Sequence, residues 1–279
     1  MSHDFLSGDA GDVTGRRRLK RSAGELAYEA LDRAALVARR AYRLARAQAP
    51  REVLVTGIYR PGSLAAQALG ALGSERHRVR LAFGSTGPAD PALADHTLAE
   101  RLGGGKFENL NRVLAETNGR EVDWLLVVDD DVRLPIRFLD RFVALCERFG
   151  LDLAQPAQTL RSHSAWKVAR RRPASLVRET RFVEVGPVTG FGRRARGELL
   201  PFPELRFGWG LDLHWAAVAM QHGWRLGVVD AVPVRHESRL VAARYAHDDA
   251  VDEAVRFLAD RPYLPASSAA DVLAVHRWA

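Results

Sequence analysis

From Glu52 to Gln155 the chain alternates short strand-like runs with helical patterns, and this alternation restricts the fold more than any other feature. Glu52–Ile58, Arg78–Phe83, Trp124–Val128 and Leu151–Gln155 read as strands, the last closed by Pro156. Between them Ser63–Leu72, Leu93–Leu102, Phe107–Thr117 and Ile136–Phe149 carry helical spacing, with Pro135 initiating the last of these. Parallel strands need crossover connections, and helices in this order supply them. The expected fold is α/β, a mostly parallel, right-handed Rossmann-like sheet flanked by helices. Beyond Pro156 the pattern loosens. Phe182–Val188 reads as a strand, Asp212–His222 as a helix, Leu226–Val229 as a strand that Val232–Val234 either extends or follows, and Asp249–Leu258 as a terminal helix.

Three segments are expected. Residues 1–21 form a disordered basic tail, Gly/Asp/Ser-rich at first and carrying Arg16-Arg17-Arg18. Residues 22–49 form an amphipathic helix, with Ser22 and Glu25 as a capping box and Leu26, Ala30, Ala34, Val37, Ala41 and Leu44 on its apolar side. Residues 50–279 form a single domain, divided into a first half (50–155) and a second half with the C-terminal helices (156–279). The helix has three uses open to it: packing on the domain, homo-oligomerisation, or peripheral membrane contact. Its Ala-rich side, without Trp or Phe, favours protein packing.

A net charge of +7, carried mainly by arginine, permits anionic partners without choosing among them. The dispersed arginines lack an interleaved aromatic stripe, so no nucleic-acid partner is expected. A lone cysteine, Cys146, excludes an intramolecular disulfide. With no apolar leader and no run of about 18 apolar residues, the expected location is cytoplasmic, or peripheral at the inner face of the membrane.

The strand Trp124–Val128 ends in Asp129-Asp130-Asp131. Adjacent anions at a strand terminus repel unless a cation joins them, and open α/β sheets place ligands at that end. Mn2+ or Mg2+ suits such oxygen donors. Asp129 and Asp131 can turn to one side, while Asp130 supports the turn and borders the same site. Upstream, Gly103-Gly104-Gly105 opens a helix bearing Lys106, Asn109 and Asn111, residue types that meet phosphates, sugars or bases. Downstream, Gly208-Trp209-Gly210-Leu211-Asp212 offers an aromatic for a sugar face and a carboxylate that serves as helix cap or general base. His236 closes an apolar strand and becomes a further ligand once a carboxylate metal site exists. Arg161–Arg172 reads either as a mobile lid or as a solvated loop.

In this order, Gly-Gly-Lys-Phe-Glu-Asn-Leu-Asn, Leu-Leu-Val-Val-Asp-Asp-Asp-Val, Gly-Trp-Gly-Leu-Asp and the strand ending at His236 resemble GT-A-fold glycosyltransferases, most closely family-2-type inverting enzymes. They are also similar to a poorly characterised glycosyltransferase-like group of plants and bacteria. The resemblance spans roughly residues 51–240. It implies that 50–155 is the nucleotide-binding half and 156–279 the acceptor half, with Asp129 at ribose and metal, Asp131 and His236 as metal ligands, Asp212 as catalytic base, and Thr56, Gly57 and Tyr59 lining the nucleotide pocket. The chain departs from the family in two places. Gly84-Ser85-Thr86 follows the second strand where an acid often reads uracil, and Leu211 precedes Asp212 where the family usually has Glu.

The resulting expectation is a metal-dependent inverting hexosyltransferase. It takes a nucleotide-diphospho-sugar as co-substrate and a carbohydrate, lipid-linked or other hydroxyl acceptor. The alternatives are a nucleotidyltransferase on a similar fold and a non-catalytic nucleotide-sugar or nucleic-acid binder.

Overall fold

The computed structural model describes residues 4–6, 15–117, 121–237 and 247–278. Its strands are β1 Glu52–Tyr59, β2 Arg78–Ser85, β3 Thr97–Ala99, β4 Trp124–Val128, β5 Val132–Arg133, β6 Leu153–Gln158, β7 Val177–Thr180, β8 Val188–Gly192, β9 Leu226–His236 and β10 Val272–His276. The helices are α1 Gly15–Ala34, α2 Val37–Ala47, α3 Ala65–Leu72, α4 Lys106–Ala115, α5 Phe138–Arg148, α6 Arg193–Leu199, α7 Leu211–His222 and α8 His247–Leu258.

The strands form one sheet in the order β10-β7-β9-β6-β8-β4-β1-β2-β3, with β5 paired to β9. One half, β4-β1-β2-β3, is parallel, and β6 and β9 are parallel to each other. β8 lies antiparallel between β4 and β6. β4 is central and buried throughout, which accounts for its unbroken apolar sequence. Leu125 and Val127 face a core shared with Phe107, Leu110, Phe191 and Trp215. Trp124, Leu126 and Val128 face the opposite core, built with Val37, Leu72, Phe138 and Phe142. The loops after β1 and β4, the start of α4 and the end of β9, which carry candidate ligands, therefore converge on one edge of the sheet.

Several elements differ from the sequence expectation. Leu93–Leu102 is not a helix. Pro91–His96 makes a 3-10 turn capped by the Asp90 side chain, and Thr97–Ala99 then pairs with β2. β6 runs through Pro156, which sits opposite Val229. Of the two alternatives for Val232–Val234, extension holds, and Leu226–His236 is one continuous strand. Residues 182–187 are irregular and the strand starts at Val188, because Gly186-Pro187 interrupts it.

The N-terminal region differs most. α1 starts at Gly15, so Arg16–Arg18 are helical, not part of a disordered tail. Ser22 lies inside the helix and caps nothing. Leu36, at φ 54, breaks the helix, and only α2 buries apolar residues inward, through Val37, Ala41 and Ala45. Leu26 points to solvent. Arg161–Arg172 is neither lid nor solvated loop. Trp166, Val168, Ala169 and Arg171 are buried, and Arg171 pairs with Glu25 and Asp32 of α1. None of the described helices is long and apolar enough to cross a membrane.

Candidate active site

Asp129, Asp131 and His236 meet at the end of β4. One ligand atom from each lies within 4.8 Å of the others. β5 fixes the pairing, since Val132 sits opposite His236 and the Glu237 N–H donates to the Asp131 carbonyl at 3.0 Å. The His236 Nε2 stands 3.0 Å from Asp131 Oδ1. Its Nδ1 faces the His163 carbonyl at 3.1 Å, a contact that orients the ring and leaves Nε2 for the site, as metal-bound imidazoles require. Two carboxylates and an imidazole make a donor set that fits a divalent metal.

The repulsion expected within the acid run is relieved by three cations. Lys106 Nζ lies 2.5 Å from Asp129. Burial opposes a charge on His236, yet its hydrogen bond to Asp131 and the nearby Asp129 raise its pKa to about 9. Burial also raises the Asp129 pKa against the pull of Lys106. Arg60 clamps Asp130 through Nε–Oδ2 at 2.8 Å and Nη2–Oδ1 at 2.7 Å, while the Arg60 backbone N–H donates at 2.8 Å. Asp130 is thus a buried brace between the β1 and β4 loops, and it lines the same opening as Asp131.

The sites expected after β1 turn out to be internal. Thr56 is fully buried within the sheet. At Gly57 a Cβ would stand 2.2 Å from the Val128 carbonyl, so glycine there permits close approach of β1 and β4. Tyr59 is 1% exposed; its hydroxyl bonds Thr97 at 2.8 Å and accepts the Asp90 N–H at 3.0 Å, bracing the loop after β2. Asn111 is likewise structural: its amide both donates to and accepts from the Phe202 backbone. Tyr59 and Asn111 thus have their polar groups engaged within the fold, Thr56 Oγ1 is buried with no partner among the described residues, and Gly57 has no side chain to offer. Asn109 is buried, with an Oδ1 that has no partner among the described residues.

The Gly-rich loop and the Gly-Trp-Gly segment pack directly on each other. A Cβ on Gly105 would meet the Arg206 backbone at 2.3 Å, and Gly208, at φ 75, lies under the Phe107 ring. Glu253 of α8 holds the second loop by accepting the N–H groups of Arg206, Phe207 and Gly208 at 2.7–2.9 Å. Trp209 is left half-exposed, edge-on to His247. Asp212 sits in the first turn of α7 but does not cap it; Gly210 occupies the N-cap. Burial raises the Asp212 pKa to about 7, against N–H donors from Val185 and Leu213.

Sequence reasoning missed Glu184. Buried in the irregular 182–187 segment, it accepts from Gln158 Nε2 at 2.8 Å, and its own N–H donates to Gln155. Burial, then the nearby Asp212, raise its pKa to about 7. The same segment touches both halves of the site: Pro187 accepts the Asp129 N–H at 2.9 Å, and the Val185 N–H faces Asp212. The available signal was a single acid in the otherwise apolar Phe182-Val183-Glu184-Val185.

No protein-family profile and no curated protein matches the chain. Solved structures do. A mannosyltransferase from Pyrobaculum calidifontis, PcManGT, solved in complex with GDP-Man and Mn2+, is similar over 90% of this chain and 79% of its own, with 17% identity and a TM-score of 0.53. A mycobacterial protein is similar over 77% of this chain and 78% of its own, with 16% identity and a TM-score of 0.50. These likenesses, together with the mixed sheet and its ligand-bearing edge, give the chain the α/β fold of the GT-A glycosyltransferases.

Proposed function

We propose that the chain is a metal-dependent glycosyltransferase that inverts the sugar it moves from a nucleotide-diphospho-sugar to a hydroxyl acceptor. One observation carries the reading: a carboxylate–imidazole triad and Asp212 flank the 182–187 segment, which itself bears Glu184, and burial raises both of these carboxyls to a pKa of about 7. Asp129, Asp131 and His236 would hold Mn2+ or Mg2+. Bound there, the metal supplies positive charge to the departing nucleoside diphosphate.

The chain's own residues do the rest. Lys106, at the start of α4 beside Asp129, offers an ammonium and a helix N-terminus to the diphosphate. Trp209 presents an aromatic face to a sugar. Asp212 is poised near neutrality, so it accepts the acceptor hydroxyl's proton as the oxygen attacks the anomeric carbon from the face opposite the leaving group. The Asp212 charge, added to burial, holds the proton on Glu184 to about pH 7, because two neighbouring carboxyls resist becoming anions together. The mannosyl donor and Mn2+ of the archaeal neighbour belong to that protein and support this reading by analogy of fold.

Incubation with a panel of nucleotide sugars, with and without Mn2+, tests it by product. Release of a nucleoside diphosphate only with metal is the expected result. Pyrophosphate release instead indicates nucleotidyl transfer, and no turnover with any donor contradicts the proposal.

A further inference from the structure

Helix α1 docks with its polar side inward. Glu25 and Asp32, two turns apart on one side, face Arg171; Glu25 also accepts the Leu160 N–H at 2.6 Å, and Asp32 the Ala174 N–H at 2.7 Å. The opposite side is apolar and open. Leu19, Ala23, Leu26, Ala30 and Ala34 recur there at three-and-four spacing, with Leu31 alongside. Leu19 is 73% exposed, Leu26 60% and Leu31 50%. Leu36, at the α1–α2 junction, is also exposed. One turn on, Arg40 carries the 72%-exposed Trp278, its guanidinium 3.7 Å from the indole centre. A row of leucines facing water in a folded chain marks a contact surface.

The charges on this surface identify the partner. Arg16, Arg17, Arg18 and Lys20 are exposed at the start of α1, and Arg39 and Arg43 further along. The acids of α1 are already engaged, Glu25 and Asp32 by Arg171 and Glu29 by Arg33 at 3.5 Å. A two-fold contact with a second copy would set cations against cations: parallel helices oppose Arg16–Lys20 to itself, and antiparallel ones oppose it to Arg33 and Arg39. Leucines, an interfacial tryptophan and arginines with no acid partner among the described residues together match an anionic bilayer.

We propose that the outward face of α1, continued by Leu36 and Trp278, lies on an anionic lipid surface, with the leucines and the indole at the headgroup–acyl boundary and the arginines against lipid phosphates. The basic end of α1 leads toward the candidate active site. A cavity of about 330 Å3 lined by Arg18, Ser22, Arg161, His163, Arg235 and Glu237 shares Glu237 with the opening that holds Asp131. A docked chain therefore carries its metal-site edge close to the lipid surface, within reach of an acceptor held there.

Co-sedimentation of the full chain with vesicles, without nucleotide or metal, tests the docking and is indifferent to whether sugar transfer occurs. The full chain should pellet with mixed phosphatidylglycerol–phosphatidylcholine vesicles at low salt, release at high salt, and ignore pure phosphatidylcholine. The double variant Leu19→Ser/Leu26→Ser should keep its melting temperature and lose about tenfold or more in vesicle affinity. The triple variant Arg16→Glu/Arg17→Glu/Arg18→Glu should lose at least as much, because each basic residue near an anionic surface contributes about a factor of five. Failure to pellet with the anionic vesicles overturns the proposal, as does equal binding by the leucine variant. A dimer in solution that Leu19→Ser/Leu26→Ser converts to monomer also overturns it and makes the face a subunit interface.

Discussion

At the scale of single residues the site divides into side chains that brace and side chains left to react. Arg60 spends its guanidinium on Asp130. Removing it as Arg60→Ala leaves a buried carboxylate with backbone N–H support only, so stability should fall by about 1–3 kcal/mol in urea denaturation, and an unchanged midpoint would refute the brace. Asp212 is its counterpart, the carboxyl proposed as the base. Its pKa rises from 3.8 to about 7 on burial, so the folded state holds its proton over that interval while the unfolded chain releases it. Folding stability contributed by this group is full below pH 4 and is lost as pH climbs toward 7, by up to roughly 4 kcal/mol. Asp212→Asn removes the ionisation, and the variant should be more stable than the parent at pH 8 yet turn over about 10²–10⁴-fold more slowly. The parent's rate should rise with pH through about 7 as the base ionises, and a flat profile would exclude Asp212 from proton transfer. Asp129, Asp131, Lys106 and Asp212 stand out in the sequence because charged residues at strand and helix ends contrast with apolar flanks, and the structure brings Asp129 and Asp131 together with His236. The inward placement of Thr56, Tyr59 and Asn111 was not legible, because a polar side chain in a strand or helix can equally face the core, and Gly57 has no side chain to announce its approach to Val128.

At the scale of elements, legibility followed burial pattern. β4 was read to the residue, since a strand covered on both faces has no competing periodicity. β8 was missed because its Val-Thr-Gly-Phe-Gly lacks alternation. A Cβ on Gly190 would lie 2.8 Å from the Phe142 ring, so a neighbour fills the space that a larger side chain would have announced. α1 was misread for the opposite reason. Its apolar stripe is real, but the helix docks through an ion-pair cluster on the other side, with Arg171 and Glu25 side chains only 5% and 4% exposed. Taking one member from a buried cluster leaves the others uncompensated. Glu25→Ala should therefore cost about 3 kcal/mol and speed amide exchange throughout α1, while leaving α2 protected through Val37 and Ala41. A loss under about 0.5 kcal/mol, or exchange unchanged in α1, would show that the helix is held by something else.

At the scale of the whole molecule, the sheet order brings segments distant in sequence to one edge: the loop after β1, the acid-tipped end of β4, the start of α4, the 182–187 segment, the start of α7 and the end of β9. The alternation of strands and helices foretold this edge for the parallel half. The contribution of 182–187 could not be foretold, because an irregular segment has no period and Glu184 acquires its meaning only beside Asp212. The account turns on that edge binding a divalent cation through Asp129, Asp131 and His236. Calorimetric titration of Mn2+ into the parent chain and into Asp131→Ala, with circular dichroism confirming equal folding, is the most direct test. The account predicts a single saturable site in the parent and affinity weakened about a hundredfold or more in the variant, as loss of a charged ligand from a small donor set entails. Equal Mn2+ affinity in the two proteins would contradict it.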